Sequence, residues 1–312
     1  MMKICGNYWL KLMVAGFLLL GAAISQAQSL VDQDGQRINF DKPFTRIISL
    51  YPAHTENLFS LGLDSQIVGV SMDDDFPAAV KSKPRFDFRA DPERIIAARP
   101  DLVLVRPMIS RFQPDLLAKL RLAGITVVSL QPNDLKETFA YWRDLGRLTG
   151  REREAEQMVS GFQARLAAIG KAVATIPARE RQRVYFEAIH RKMKTFAPDS
   201  MAIFALTAAG GINAAPDAAQ VRKTNIADYG LERLLAKADE IDVFLAQRGR
   251  MNRITAQGIY DEPGLAALKA VKNRQVFLID EALVSRPTPR LIEGIIDIGR
   301  LLYPQVFKAF PQ

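Results

Sequence analysis

Two histidines, His54 and His190, are the whole imidazole supply of this 312-residue chain. Each follows directly on an apolar run that reads as a strand, one ending at Leu50 and the other spanning 183–189. Tyr51, Pro52 and Ala53 fill the gap between the first run and His54. The carboxyl end of a strand in an open α/β sheet is where loops and helix N-termini converge and where such sheets bind ligands. Two imidazoles facing each other there could hold a transition metal, or fill an open position on a chelated one, since imidazole suits iron, cobalt, nickel and zinc alike. The plainer reading of each is a solvent-facing or hydrogen-bonded side chain. Tyr51 could ligate haem iron as a phenolate, or stack against a planar ligand. The run Asp73-Asp74-Asp75 offers the oxygen ligands that hard cations take. Three consecutive side chains cannot all turn inward, however, and the run reads as a solvated loop.

These residues need a frame, and its centre is residues 151–176. Met158, Phe162, Leu166, Ile169 and Val173 recur there at threes and fours, which gives a helix one continuous apolar stripe. Gly150 stops the preceding helix and Pro177 marks the exit. Two stretches echo each other on either side, PERIIAARPDLVLV from Pro92 and LERLLAKADEIDVFLA from Leu231. Each reads as a short helix led by a glutamate, a polar turn and a buried strand. The expectation is two similar α/β lobes, 28–150 and 177–312, joined by one helix. In the first lobe a helix is expected at 55–61, and Asp91 caps a helix that begins at Pro92, leaving Glu93 exposed in its first turn.

The N-terminus carries Lys3 and Lys11, an apolar run over 12–24, and Ser25-Gln26-Ala27. This is a secretory signal cleaved after Ala27, and its run is shorter than the roughly 20 residues that span a bilayer. Cys5 is the only cysteine, and it lies too early to be a lipid-anchoring one. The processed chain then has no thiol, which rules out disulfides, zinc-thiolate sites and a cysteine nucleophile and suits an oxidising compartment. A free periplasmic protein is expected, not a lipoprotein. The formal charge of +8 falls to +6 on loss of Lys3 and Lys11. That charge is spread among acids rather than gathered in runs, so nucleic acid is not the partner and an anionic ligand is. Neither a G-x-S-x-G elbow nor a His-Glu-x-x-His motif occurs, so no enzyme is expected.

The segments IISLYPAHTENLFSLGL, PERIIAARPDLVLV, LAGITVVSL, LERLLAKADEIDVFLA and SRPTPRLIEGI, with the single long helix, resemble the class III periplasmic binding proteins. That family serves vitamin B12, ferric-siderophore and haem ABC importers. The resemblance implies two lobes of parallel β-sheet flanked by helices, bridged by one rigid α-helix, with a shallow cleft for a metal chelate. It implies that Glu93 and Glu232 dock onto arginines of the permease dimer in the inner membrane, although each would also favour its own helix dipole. Ligand contacts would come from Tyr51, Ala53, His54, Phe88, Arg89 and Arg106 of the first lobe and from His190, Phe196 and Arg286 of the second. Arg106 and Arg286 match ligand-contacting positions of the B12 binders, where an aromatic occupies the place of Arg106. A cation there suits carboxylates or phenolates, which guanidinium binds in paired hydrogen bonds. The expected protein is a monomeric solute-binding protein with no intrinsic cofactor, capturing an iron complex of the ferric-siderophore kind. A corrinoid (vitamin B12 or cobinamide, with cobalt) and haem are the alternatives within the family. A bare transition-metal site on His54, His190 and Glu187 is a further rival, although bare-metal relatives use more histidines.

Overall fold

The structure, a computed structural model, describes residues 28–90, 92–222 and 224–311. The secretory signal with Cys5, and the cap at Asp91, lie outside the described residues. No helix among those described is long and apolar enough to cross a membrane.

The first lobe opens with a hairpin of β1 (Gln28–Val31) and β2 (Arg37–Phe40). Asp32 clips it to the lobe, accepting the backbone N–H groups of Asp34, Gln36 and Ser129. There follow β3 (Ile47–Ser49), α1 (Pro52–Ser60), β4 (Ile67–Ser71), β5 (Arg85–Phe86), α2 (Pro92–Ala97), β6 (Leu102–Val105), α3 (Pro107–Phe112), α4 (Pro114–Leu122), β7 (Thr126–Ser129) and α5 (Leu135–Thr149). The sheet is parallel throughout, in the order β5-β4-β3-β6-β7. Leu102 to Val105 are wholly buried, as a strand covered by helices on both faces must be. From β3 the chain moves outward to β4 and β5, then returns to β6 on the other side. The reversal leaves a crevice outside the carboxyl ends of β3 and β6, the topological switch point of the sheet.

Helix α6 (Glu152–Val173) leaves this lobe after Gly150, whose left-handed φ of 67° ends α5. Its 22 residues span about 33 Å at 1.5 Å each. Ala155, Val159, Phe162, Ile169 and Val173 form its buried face, with Met158 and Leu166 packed at the border. Phe162 meets Trp142 and Phe139 edge-on at 5.5 and 5.7 Å. One apolar cluster runs along this helix from Leu30 of the first lobe to Phe307 of the second. The lobes therefore share a core as well as a connection.

The second lobe contains β8 (Arg183–Ile189), β9 (Lys194–Phe196), α7 (Met201–Ala208), β10 (Ile212–Asn213), β11 (Ala219–Gln220), β12 (Ile226–Asp228), α8 (Leu231–Ala236), β13 (Val243–Arg248), α9 (Ala256–Tyr260), α10 (Lys269–Lys272), β14 (Val276–Asp280), α11 (Glu281–Val284), α12 (Leu291–Leu302) and α13 (Pro304–Phe307). Strands β10, β8, β13 and β14 are parallel. On the other side β9, β12 and β11 extend the sheet antiparallel. Residues 190–193 are too few for a parallel crossover, which takes a dozen or more, so β9 must return as a hairpin partner of β8.

A candidate ligand-binding cleft between the lobes

Pro52 occupies the first turn of α1, where its fixed φ suits the helix and its missing N–H costs nothing. Tyr51 is thereby the N-cap residue, at φ −146° and ψ 128°, at the carboxyl end of β3. Arg106 takes the same position before α3, at the end of β6. The two meet at the switch point, with the Arg106 guanidinium 4.7 Å above the Tyr51 ring, a cation–π stack. Beside them opens a small, solvent-open pocket lined by Tyr51, Met72, Asp73, Phe88, Arg89 and Arg106 among others. Arg89 stacks on Phe88 at 4.3 Å and pairs with Asp87 at 3.7 Å. Arg106 is half-buried and has no carboxylate partner among the described residues. Burial pushes the Tyr51 phenol up, against the pull of Arg106 and Arg286. That suits a stacking wall and opposes a free phenolate.

The facing wall comes from the carboxyl ends of β8 and β13. His190 follows β8, its Nδ1 2.9 Å from Glu187 Oε1 and its Nε2 3.9 Å from Glu262 Oε2. The hydrogen bond with Glu187 raises its pKa against the cost of burial. Its backbone N–H donates to Asn252 Oδ1 at 2.9 Å, and Asn252 Nδ2 donates to the Gln247 carbonyl at 2.9 Å. The turn 249–252 and the His190 loop are thus one unit. A Cβ on Gly249 would lie 2.2 Å from Glu281 Cδ, so the turn packs directly on Glu281, whose Oε2 accepts the Met251 N–H at 3.0 Å. Held in this way, Arg250 reaches across and pairs with Asp73 of the first lobe. Arg191, Lys192, Arg248 and Arg253 are exposed on the same loops, with no ion-pair partner among the described residues.

Several expected contacts are placed elsewhere. Helix α1 begins at residue 52, not 55, which puts Ala53 and His54 in its first turn facing inward, both fully buried. His54 Nε2 lies 2.9 Å from the Val105 carbonyl oxygen. A carbonyl can only accept, so Nε2 carries the proton and Nδ1 accepts from the Tyr141 hydroxyl at 2.6 Å. Burial lowers the His54 pKa to about 4. No lone pair remains for a metal, so His54 is not a metal ligand and the site on His54, His190 and Glu187 is not assembled. Among the described residues no three His, Cys, Asp or Glu side chains gather in a metal-holding group. Phe196 is likewise no cleft residue, because the hairpin return buries it completely against Phe186, at a ring separation of 4.8 Å.

Arg286 is a joint between the lobes rather than a free ligand contact. Its Nη1 lies 2.5 Å from Glu56 and 2.9 Å from Asp75, and its side chain is 12% exposed. Arg290 completes the cluster, 3.2 Å from Glu56 and stacked over Phe76 at 3.9 Å. Burial alone would lower the Arg286 pKa, but Asp75 and Glu56 outweigh it and hold the group charged. Asn57 Nδ2 and Trp142 Nε1 add hydrogen bonds to the Pro287 carbonyl at 3.0 and 3.1 Å. The acidic run is therefore not a solvated loop. Asp74 turns inward, accepting the Ser71 N–H at 2.5 Å, and burial raises its pKa to about 6. Its neighbours reach out to Arg250 and Arg286 on the other lobe.

Residue types alone hid Asp73 and Arg250. The available signal was QRGRMNR, three arginines around a glycine just past a strand. Glu93 and Glu232 are exposed in the first turns of α2 and α8.

The sequence profile of the periplasmic binding protein family matches residues 47–283. A substrate-binding lipoprotein of an ABC transporter from Bacillus subtilis (strain 168) is 27% identical over 98% of this chain and 100% of its own length. A vitamin B12-binding protein of Vibrio cholerae is 26% identical over 81% of this chain and 88% of its own. A solved structure of a possible iron-binding, periplasmic solute-binding protein from Staphylococcus epidermidis superposes with a TM-score of 0.72 at 28% identity, covering 84% of this chain and 100% of that one. The chain belongs to the periplasmic binding protein family, as a class III substrate-binding protein of ABC importers.

Proposed function

We propose that the protein captures an anionic ferric chelate of the siderophore type in the periplasm and delivers it to an ABC importer permease dimer. The observation that carries this reading is Arg106, a half-buried guanidinium with no carboxylate partner among the described residues, stacked on Tyr51 at the switch point. A desolvated cation in that position is matched by a carboxylate or phenolate of the ligand. Tyr51 and Phe88 supply apolar faces for the chelator, and the basic loops opposite favour approach of an anion. His190 adds positive charge while protonated. The shared core and the Glu56–Arg286 joint keep lobe closure small, so recognition uses a mostly preformed cleft. No bond making or breaking is required.

Glu93 and Glu232, one per lobe, present carboxylates to the permease dimer. The signal over 1–27 is removed and the protein works as a monomer. Likeness to a vitamin B12-binding protein supports a corrinoid as the second reading. Cobinamide, rimmed by amides, gives Arg106 no anion to pair with, and cobalamin offers it only the single phosphodiester of its nucleotide loop, whereas a ferric chelate presents several carboxylates or phenolates. Native mass spectrometry of protein purified from its own periplasm tests the assignment. An iron-containing organic adduct is expected, with a mature mass that starts after Ala27 and carries no lipid. A cobalt adduct selects the corrinoid, and visible absorbance of the same sample identifies haem.

A further inference from the structure

The acidic loop after β4 treats its three aspartates differently. Asp74 is buried and ties the loop down through the Ser71 N–H, while Arg85 Nη1 donates to the Asp74 and Ser71 carbonyls at 2.6 and 3.1 Å. With the middle residue turned in, Asp73 and Asp75 project toward the second lobe. Asp75, itself exposed, adds to the Glu56–Arg286 pair, whose two members are buried. Asp73 is different. It lines the cavity beside Tyr51 and Arg106, and its partner Arg250 is exposed, with Asp73 as its sole carboxylate partner among the described residues. The Arg250 side chain is 61% exposed and that of Asp73 39%. Ion pairs of such exposure are weak and exchangeable.

We propose that Asp73 is a resident carboxylate that occupies Arg250 in the unliganded cleft, and that an anionic group of the ligand displaces it. Arg250 then becomes a ligand-contacting residue and Asp73 a specificity determinant. The inference rests on the reading of the cleft as a site for an anionic chelate. Exchange of one carboxylate for another leaves Arg250 paired throughout. It also sets a threshold: a ligand must present an anion at the cavity lip or leave the lobes bridged in front of it. A neutral chelate offers neither member of the Asp73–Arg250 pair a charge in exchange, and a cationic one leaves Arg250 unpaired beside it, so the pair works against both. Met72 and Met251, 57% and 49% exposed, flank the two members of the pair and give the displacing group apolar surroundings.

A double-mutant cycle tests this, using fluorescence titration with ferric enterobactin and ferric citrate as anionic probes and ferrioxamine B as a cationic one. Asp73→Asn should tighten binding of an anionic probe by about 3- to 10-fold, through release of Arg250 from its competing pair. Arg250→Ala should weaken it by about 10-fold or more, the effect of removing a charge-assisted hydrogen bond. In the Arg250→Ala background the gain from Asp73→Asn should shrink to within twofold, because the two residues act through one contact. An undiminished gain in that background, or an anionic probe that binds Asp73→Asn and wild type alike, overturns the inference while leaving the chelate reading intact. Failure of the wild type to bind either anionic probe overturns both.

Discussion

The Tyr141 hydroxyl donates to His54 Nδ1 at 2.6 Å, and the opposite ring nitrogen donates to the carbonyl of Val105, the residue before Arg106. Asn57 Nδ2 donates to the same hydroxyl at 3.0 Å and to Pro287 of the second lobe. A buried polar chain thus runs from the backbone that positions Arg106 to the joint between the lobes. It requires neutral imidazole. The unfolded pKa is 6.5 and the folded one about 4, so between those values the unfolded chain binds more protons and stability falls as pH falls. The loss amounts to about 3 kcal/mol at 1.36 kcal/mol per unit. Urea midpoints at pH 7.5 and 4.5 should show His54→Gln less stable at the higher pH by about 1–3 kcal/mol, with one buried donor or acceptor left unpaired. Its acid dependence should be correspondingly flatter. An unchanged acid dependence would show that His54 is not the titrating group.

Asp74 contributes with the opposite sign. Its carboxyl rises from 3.8 to about 6 on folding, so the folded chain binds more protons in that window and stability is lost as pH rises through it. At pH 7.5 the ionised side chain costs about 3 kcal/mol. In Asp74→Asn the amide oxygen still accepts the Ser71 N–H, and stability at pH 7.5 should rise by about 1–3 kcal/mol. A drop in the urea midpoint would contradict this assignment.

Glu56 is 2% exposed between Arg286 and Arg290. Removing one member of a buried ion cluster leaves uncompensated charge, and Glu56→Ala should lose about 3–5 kcal/mol of unfolding free energy. Small-angle scattering of the variant should also show a wider separation of the lobes. Wild-type stability in the variant would mean that the joint is ornamental.

Docking and capture are separable. Glu93→Ala and Glu232→Ala should each abolish chelate uptake in cells, with dissociation constants of the purified proteins within twofold of wild type. Lost ligand affinity in either variant would refute the docking role of that residue.

Much of this fold could be read from residue patterns whose cause is local. The buried strands stand out as apolar runs, and α6 as a stripe at threes and fours, because burial on two faces or one writes those periods directly. The inward turn of His54 depends on Pro52 opening α1, a signal present in the sequence but outweighed by the strand-then-loop reading. The antiparallel return of β9 was written in the short connection 190–193. The joint could not be read at all, since Glu56 and Arg286 are 230 residues apart and their pairing exists only once both lobes are built. The same holds for Asp73 and Arg250. Tyr51, Phe88, Arg89 and Arg106 line one pocket at the strand ends of the first lobe, and His190 follows β8 in the second; Ala53, His54, Phe196 and Arg286 are withdrawn into the core or into the joint.

The claim on which the account turns is that Arg106 pairs with an anion of the ligand. Fluorescence titration of wild type and Arg106→Ala with ferric enterobactin, ferric citrate and cobinamide measures it directly. Loss of a charge-assisted hydrogen bond, at about 1.5–3 kcal/mol, predicts a 10- to 100-fold weaker dissociation constant for an anionic ferric probe in the variant. Equal affinity in the two proteins, or tight binding of cobinamide by wild type with none of either ferric probe, would contradict it.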